Sequence, residues 1–355
     1  MKFLEASYQF HELPDPYDKL GVLKYLEKIG RVCYKSEDKI TDESCVKFIQ
    51  GIRNRKHWAV LEHYIFVMEV PGWIYDDIAR LVYHVNTSNP DLAEKIRFIH
   101  VSECDDGKKL VSGSATAFNY LWACKYIREN PNSGVNSICI RLLDMYPELM
   151  YVPDGVDPYE PDAIKLSSAT IRFLSRTEVE GLPVGQRLIH DWMSVRIVTD
   201  RGVTHELVRH RPFSFAQEST RYVNYGNKGC QFLIPCWFSD EDKSVLKNGG
   251  WIDSDVQKLS PTAQMWTQAM YNAANSYQSL VNNDWVPQMG RSVLPNSTKT
   301  EIVMTGNMNE WVHFFNMRVP KAAHPQMREV AVPMLKECIG NKPELFAAQY
   351  KLLEE

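Results

Sequence analysis

The stretch Arg209-His210-Arg211-Pro212-Phe213-Ser214-Phe215-Ala216-Gln217-Glu218-Ser219-Thr220-Arg221-Tyr222 constrains this chain more than any other. It follows Met193 to Thr199, which reads as a strand, and Asp200 to Val208, which reads as a helix capped by Asp200 or Thr204. That helix delivers two guanidinium groups and an imidazole beside hydroxyl and amide groups. Planar guanidinium forks donate two parallel hydrogen bonds, so they suit phosphate, carboxylate or the oxygen edge of a heteroaromatic ring. A solvated basic helix end is the plainer alternative, because short basic runs are common.

Composition narrows the choice. With 355 residues, 44% hydrophobic and 24% charged, the chain is an ordinary globular one of one large or two ordinary domains. A formal charge of −4 argues against general nucleic-acid binding, while a local basic cluster can still hold a small anion. There is no apolar run of about 18 residues to span a membrane, and Met1-Lys2-Phe3-Leu4-Glu5 lacks a signal-peptide core. Eight cysteines without a CxxC pair read as reduced core thiols rather than bridges or metal ligands, and they predict a cytoplasmic protein without a metal site.

Along the chain, Asp18 to Ile29 has a helical pattern, and Thr41-Asp42-Glu43-Ser44 is a cap signal before a second helix. Leu61 to Val70 is strand-like, with His63 at its opening and Glu62 placed to orient that ring. After Pro71 come helical pieces at 75–85, 114–129 and 135–146, then a stretch crowded by Pro147, Pro153, Pro158 and Pro161. Gln231 to Ile234 reads as a strand. Ser260 to Asn282 reads as a long helix opened by a cap and an N1 proline, and 300–306 as a short strand. Helices are expected at Asn307 to Met317, Gln326 to Cys338 and Pro343 to Leu353.

Arg-His-Arg, a gap of seven residues, Ser219 and then Thr220-Arg221-Tyr222 together resemble the signature of the flavin-dependent thymidylate synthases. "VLEHYIF" around His63, "GRSVLP" around Arg291, and "HFFNMRVPKAAHPQMREVA" around Arg318 are similar to further segments of that family. The resemblance implies an α+β fold of the thymidylate synthase-complementing type, a central mostly antiparallel sheet flanked by helices. It divides the chain into a catalytic core, 1–71 with 193–355, and an inserted, mainly helical module at 72–192. It also implies FAD as cofactor, NADPH as reductant, methylenetetrahydrofolate as carbon donor and dUMP as substrate, in a homotetramer with sites shared between subunits.

Residue by residue, the resemblance assigns dUMP to Glu206, Arg209, Gln217, Glu218, Ser219, Arg221, Arg291 and Arg318. It assigns the flavin to His63, Arg209, His210, Arg211, Asn307 and His313. Arg318 matches the arginine that activates the ring: a guanidinium beside the uracil carbonyl favours loss of the N3 proton and enriches the ring carbon in electrons. Three positions depart from the family pattern. Gln217 is a neutral amide where many members carry Glu, His313 stands where shorter members often have Asn, and Asn309 where some have Arg. No GxGxxG follows a strand, so a Rossmann nicotinamide site is not indicated.

Two other classes stay open at this point. Cys236, in "QFLIPCWF", is a candidate nucleophile for a cysteine-dependent pyrimidine methyltransferase, although Trp237 follows it where that family has His and no cationic partner lies beside it. A non-catalytic nucleotide-binding protein built on the basic stretch is the other.

Overall fold

The computed structural model describes every residue except 125–126, 128–131, 156–169, 250–255 and 355. Ten strands are described: β1 (Lys2–Leu4), β2 (Ser7–His11), β3 (Ile65–Glu69), β4 (His100–Glu103), β5 (Lys109–Ser114), β6 (Arg172–Phe173), β7 (Trp192–Asp200), β8 (Ser214–Gln217), β9 (Gln231–Leu233) and β10 (Lys299–Asn307). The central sheet has the order β2-β7-β10-β8, every neighbour antiparallel. β10 and β7 pair along their whole length, from Lys299 opposite Asp200 to Asn307 opposite Trp192.

Every residue of β10 is buried, so it sits between two packed layers rather than facing water on one side. Alternation along the strand sends Ile302 and Met304 into one core, with Trp311, Phe314 and Phe315 of the helix Met308–Arg318. Val303 goes to the other core, with Val22, Leu26 and Ile29 of the helix Lys19–Tyr34. Gly306 has a packing reason: a Cβ there would fall 2.6 Å from the ring of Phe213.

A second sheet, β4-β5-β3-β6, is also antiparallel. Only β3 precedes residue 72. The described part of 72–192 contains three short strands besides its helices, among them Gly72–Ser88, Ala115–Trp122 and Gly134–Met145. Two of those strands have a physical reason: β3 has two edges, and β5 and β6 satisfy both. Phe118 and Ile138 from this stretch also share one core with Val22 and Leu26. Part of the expected helix at 114–129 lies outside the described residues.

Local signals mostly place the elements. Asp200 caps the helix Arg201–Leu207, accepting from Val203 N at 2.8 Å, and Asn307 caps Met308–Arg318, accepting from Glu310 N at 2.9 Å. The long helix is Pro261–Asn282, with proline at its first position. β1 pairs in parallel with β9, and that small sheet packs beside the long helix through Phe3, Phe232 and Tyr277. One boundary differs from expectation. Trp58–His63 is a 3-10 turn and β3 begins at Ile65, so His63 precedes the strand. Its carbonyl is held by Tyr25 Oη at 3.1 Å. No helix among the described residues is long and apolar enough to cross a membrane.

Candidate active site

Arg318 is the last residue of the helix Met308–Arg318, whose buried Trp311, Phe314 and Phe315 fix its rotation against β10. That rotation sets the guanidinium against the helix Arg201–Leu207. Nη1 donates to Glu206 Oε2 at 2.9 Å, Nη2 to the Glu206 carbonyl at 3.4 Å, and Nε to His210 Nε2 at 2.8 Å. Arginine is only a donor, so His210 Nε2 must accept and the ring carries its proton on Nδ1. Burial, with the Arg318 charge beside it, lowers the His210 pKa to about 4, so the imidazole is neutral near pH 7. Phe213, His313 and Phe314 pack around the His210 ring.

His210 and Arg318 line a cleft of about 710 Å³, together with Arg209, Arg211, Asn309 and His313. Arg209 and Arg211 are exposed and pair with no carboxylate among the described residues.

A second group lies on the turn that follows β8. Gln217 Nε2 donates to Thr204 Oγ1 at 2.9 Å and Thr300 Oγ1 at 3.3 Å, tying this turn to the helix that carries Glu206. Ser219 N donates to the Cys33 carbonyl at 3.0 Å, and Arg221 N to Ser219 Oγ at 3.3 Å. Arg291 Nη1 reaches Thr220 Oγ1 at 3.3 Å. Arg221 and Arg291 are exposed and lack carboxylate partners among the described residues. The result is a cationic corner with a hydroxyl in its floor, suited to an anion.

Glu218 differs from its neighbours: it is buried, bonded to Lys299 Nζ at 2.9 Å and to Tyr225 Oη at 2.9 Å. The sequence does not single out Lys299 or Tyr225, and it marks Thr204 only as a candidate helix cap. A Lys299-Thr300-Glu301 opening on an otherwise apolar strand was the available signal.

Residues 185–344 match the family model described as thymidylate synthase complementing protein. That match covers less than half of the chain. The chain is 32% identical over 147 residues to a protein of Mycobacterium marinum named flavin-dependent thymidylate synthase, across 41% of this chain and 57% of the relative. A protein of the same name from Geobacter sulfurreducens is 32% identical over 146 residues, across 41% of this chain and 55% of the relative. The chain thus spans just over half the length of the curated relatives it matches. A solved UMP/dUMP methylase from Streptomyces cacaoi, bound with 5-Br UMP, is 22% identical over 48% of this chain and 76% of that one. Its TM-score of 0.37 is too low to define a common overall fold.

Within one chain, the residues that the sequence assigns to the flavin do not converge. Arg209, His210, Arg211 and His313 line the cleft. His63 is fully buried, its Nδ1 2.8 Å from Thr305 Oγ1, which donates to Ser194 Oγ at 2.9 Å. Burial lowers its pKa to about 3, and its Nε2 is buried without a hydrogen-bond partner. Glu62 does not orient that ring; it meets Arg97 at 3.2 Å and the Ser214 hydroxyl at 3.3 Å. Asn307 is buried, and its side-chain oxygen is taken up by the helix cap.

Cys236 is a poor nucleophile here. Burial first, and the Glu329 carboxylate second, push its thiol above the ordinary range. Lys243 Nζ lies close by, but it donates its hydrogen bond to the Cys236 carbonyl at 2.9 Å.

Proposed function

We propose that this chain methylates dUMP to dTMP, with methylenetetrahydrofolate as carbon donor, FAD as cofactor and NADPH as reductant. The observation that carries the reading is Arg318, held at the edge of the cleft by Glu206 and His210. The relatives' shared name supports the flavin.

The donor set fits a flavin dinucleotide. Two exposed arginines without carboxylate partners among the described residues, Arg209 and Arg211, suit its diphosphate, and His313 and Asn309 add polar groups in the same cleft. When bound, the flavin supplies the hydride that it takes from NADPH and that turns a transferred one-carbon unit into a methyl group. The residues of the chain do the rest. Arg318 offers N–H donors to a uracil oxygen, stabilises the negative charge left as the N3 proton departs, and so raises electron density at C5. Glu206 and the neutral His210 fix the plane of the fork without competing for that proton. Arg221, Arg291 and Ser219 hold the phosphate. Overall, C5 loses a proton, gains the one-carbon unit, and the folate leaves as tetrahydrofolate.

In this reading the active unit is a homotetramer with sites shared between subunits, which explains why His63 and Asn307 need not face the cleft of their own chain. The core is 1–71 with 193–355, and 72–192 is an insertion that has become structurally continuous with it.

Tritium release from 5-tritiated dUMP tests the proposal. Release that requires FAD, NADPH and methylenetetrahydrofolate, and survives Cys236→Ala, is the expected result. Release that needs no flavin, or that disappears with Cys236, would overturn it.

A further inference from the structure

Glu218 and Glu301 are two carboxylates buried within hydrogen-bond reach of one ammonium. Lys299 Nζ donates to Glu218 Oε2 at 2.9 Å and also to Glu301 Oε1. Glu301 is held in turn by Lys35 Nζ at 2.6 Å and Arg196 Nε at 2.7 Å, and both cations reach Glu37, at 3.1 and 3.3 Å. Lys35, Arg196 and Lys299 therefore balance Glu37, Glu218 and Glu301 within one network. Burial alone would raise the Glu301 pKa; Lys299 and Lys35 outweigh it and hold that pKa at about 2.

The backbone follows the same plan. Glu218 N donates to the Glu301 carbonyl at 2.8 Å, and Ser219 N to that of Cys33 at 3.0 Å. Side chains alternate along a strand, so Lys299 and Glu301 share one face of β10 while Thr300 takes the other. Gln217 goes to Thr300 and Glu218 to Lys299, which locks both sides of the turn at its root. The residues that emerge from that root are Ser219, Thr220 and Arg221, and Arg291 leans on Thr220. A flexible turn would have to be ordered each time it bound an anion; a clamped one is already arranged.

We propose that Lys299 is a positioning residue for the nucleotide phosphate, acting through Glu218 to hold the Ser219–Arg221 turn. Glu218 then acts as part of the clamp and does not touch the nucleotide. This inference rests on the reading of dUMP as the substrate and deepens it.

The test is dUMP binding by calorimetry to the FAD-loaded full-length protein. Glu218→Gln combined with Lys299→Met removes the pair without stranding a carboxylate, since Glu301 keeps Lys35 and Arg196. The double variant is expected to weaken dUMP binding about tenfold or more. In an Arg221→Ala background the same change should shift binding less than about twofold, because the turn no longer presents the group being positioned. FAD content and thermal midpoint are read alongside. If the double variant does not fold, Tyr225→Phe, which removes the other hydrogen bond to Glu218 and no charge, takes its place. It is expected to weaken binding about threefold in the native background only.

An unchanged Kd, or the same factor in both backgrounds, overturns the positioning role while leaving the substrate in place. Wild-type protein that binds FAD but no dUMP overturns the substrate and the inference together.

Discussion

Arg318 donates its Nε–H to His210 Nε2 across 2.8 Å, and that one contact settles the state of both side chains. The guanidinium is always protonated, so the imidazole must accept, and a doubly protonated ring cannot occupy the same place. Glu206 takes the other edge of the fork at 2.9 Å. The arginine is thus oriented before a nucleotide arrives, by one neutral and one anionic partner.

Arg318→Ala is expected to reduce tritium release from dUMP by about 100-fold or more, the usual effect of removing a preorganised donor from a developing anion. Bound FAD, followed by its visible absorbance, should stay, because Arg209 and Arg211 remain. Arg318→Lys should not restore turnover, since a single ammonium cannot span Glu206 and His210 as a fork does. Near-normal turnover in either variant would remove Arg318 from the chemistry.

Cys236→Ala should leave turnover unchanged within about twofold, because burial and Glu329 keep the thiol protonated at neutral pH. A variant that loses methylation while retaining its fold and flavin would return the cysteine to consideration.

The legible and illegible parts of this chain divide along a physical line. The Arg-His-Arg junction, the cap at Asp200 and the helix ending at Arg318 were legible because each is a local pattern in sequence. The fork between Arg318 and His210 was not, since it joins residues 108 apart and depends on how two helices meet over β10. His63 shows the opposite failure. Its segment reads as a strand, yet β3 begins only at Ile65 and the ring is bonded to Thr305, a tertiary fact no local window contains. The stretch 72–192 read as mainly helical because its helices are long and periodic. Its strands are short and amount to pattern only when β3 lies beside them.

Acid should weaken this fold well before its carboxylates are neutralised. Burial lowers the pKa of His11, His100 and His210 to about 4, and of His63 and His190 to about 3, against an ordinary value of 6.5. Between pH 6.5 and 4 the unfolded chain binds protons that the folded chain refuses, so the stability of these neutral rings is full above 6.5 and is lost as pH falls. Each contributes a slope of up to about 1.4 kcal/mol per pH unit. Glu329, raised by burial to about 7, acts in the opposite direction, since its folded form keeps a proton that the unfolded chain releases. Burial also raises Glu62, Asp200 and Glu310, in the same direction as Glu329, and the five histidines outweigh these four carboxylates. Urea unfolding midpoints should therefore fall clearly from about pH 7 to about pH 5. A flat profile would mean that these rings are hydrated.

Asp191 is the residue whose loss should damage the fold most. It is fully buried just before β7, where Arg176 and Lys342 each meet its carboxylate at 2.9 Å and Arg187 at 3.4 Å. Burial alone would raise its pKa, yet the Arg176 and Lys342 charges outweigh it and hold the pKa below the ordinary value. Its carbonyl also accepts from Met308 N at 3.1 Å, at the start of the helix that carries Arg318. One carboxylate therefore joins the helices Arg176–Glu180, Val184–His190 and Pro325–Asn341 to the root of the central sheet. Asp191→Ala leaves Arg187, itself nearly buried, with only the exposed Glu344 as a carboxylate partner among the described residues. Removing one side of such a pair typically costs about 3–5 kcal/mol. Asp191→Asn, which keeps the shape and loses the charge, should cost less than Asp191→Ala. Both are read from urea unfolding at neutral pH. A loss below about 1 kcal/mol for Asp191→Ala would show that the three cations reach water without their carboxylate, and that the junction is held by apolar packing instead.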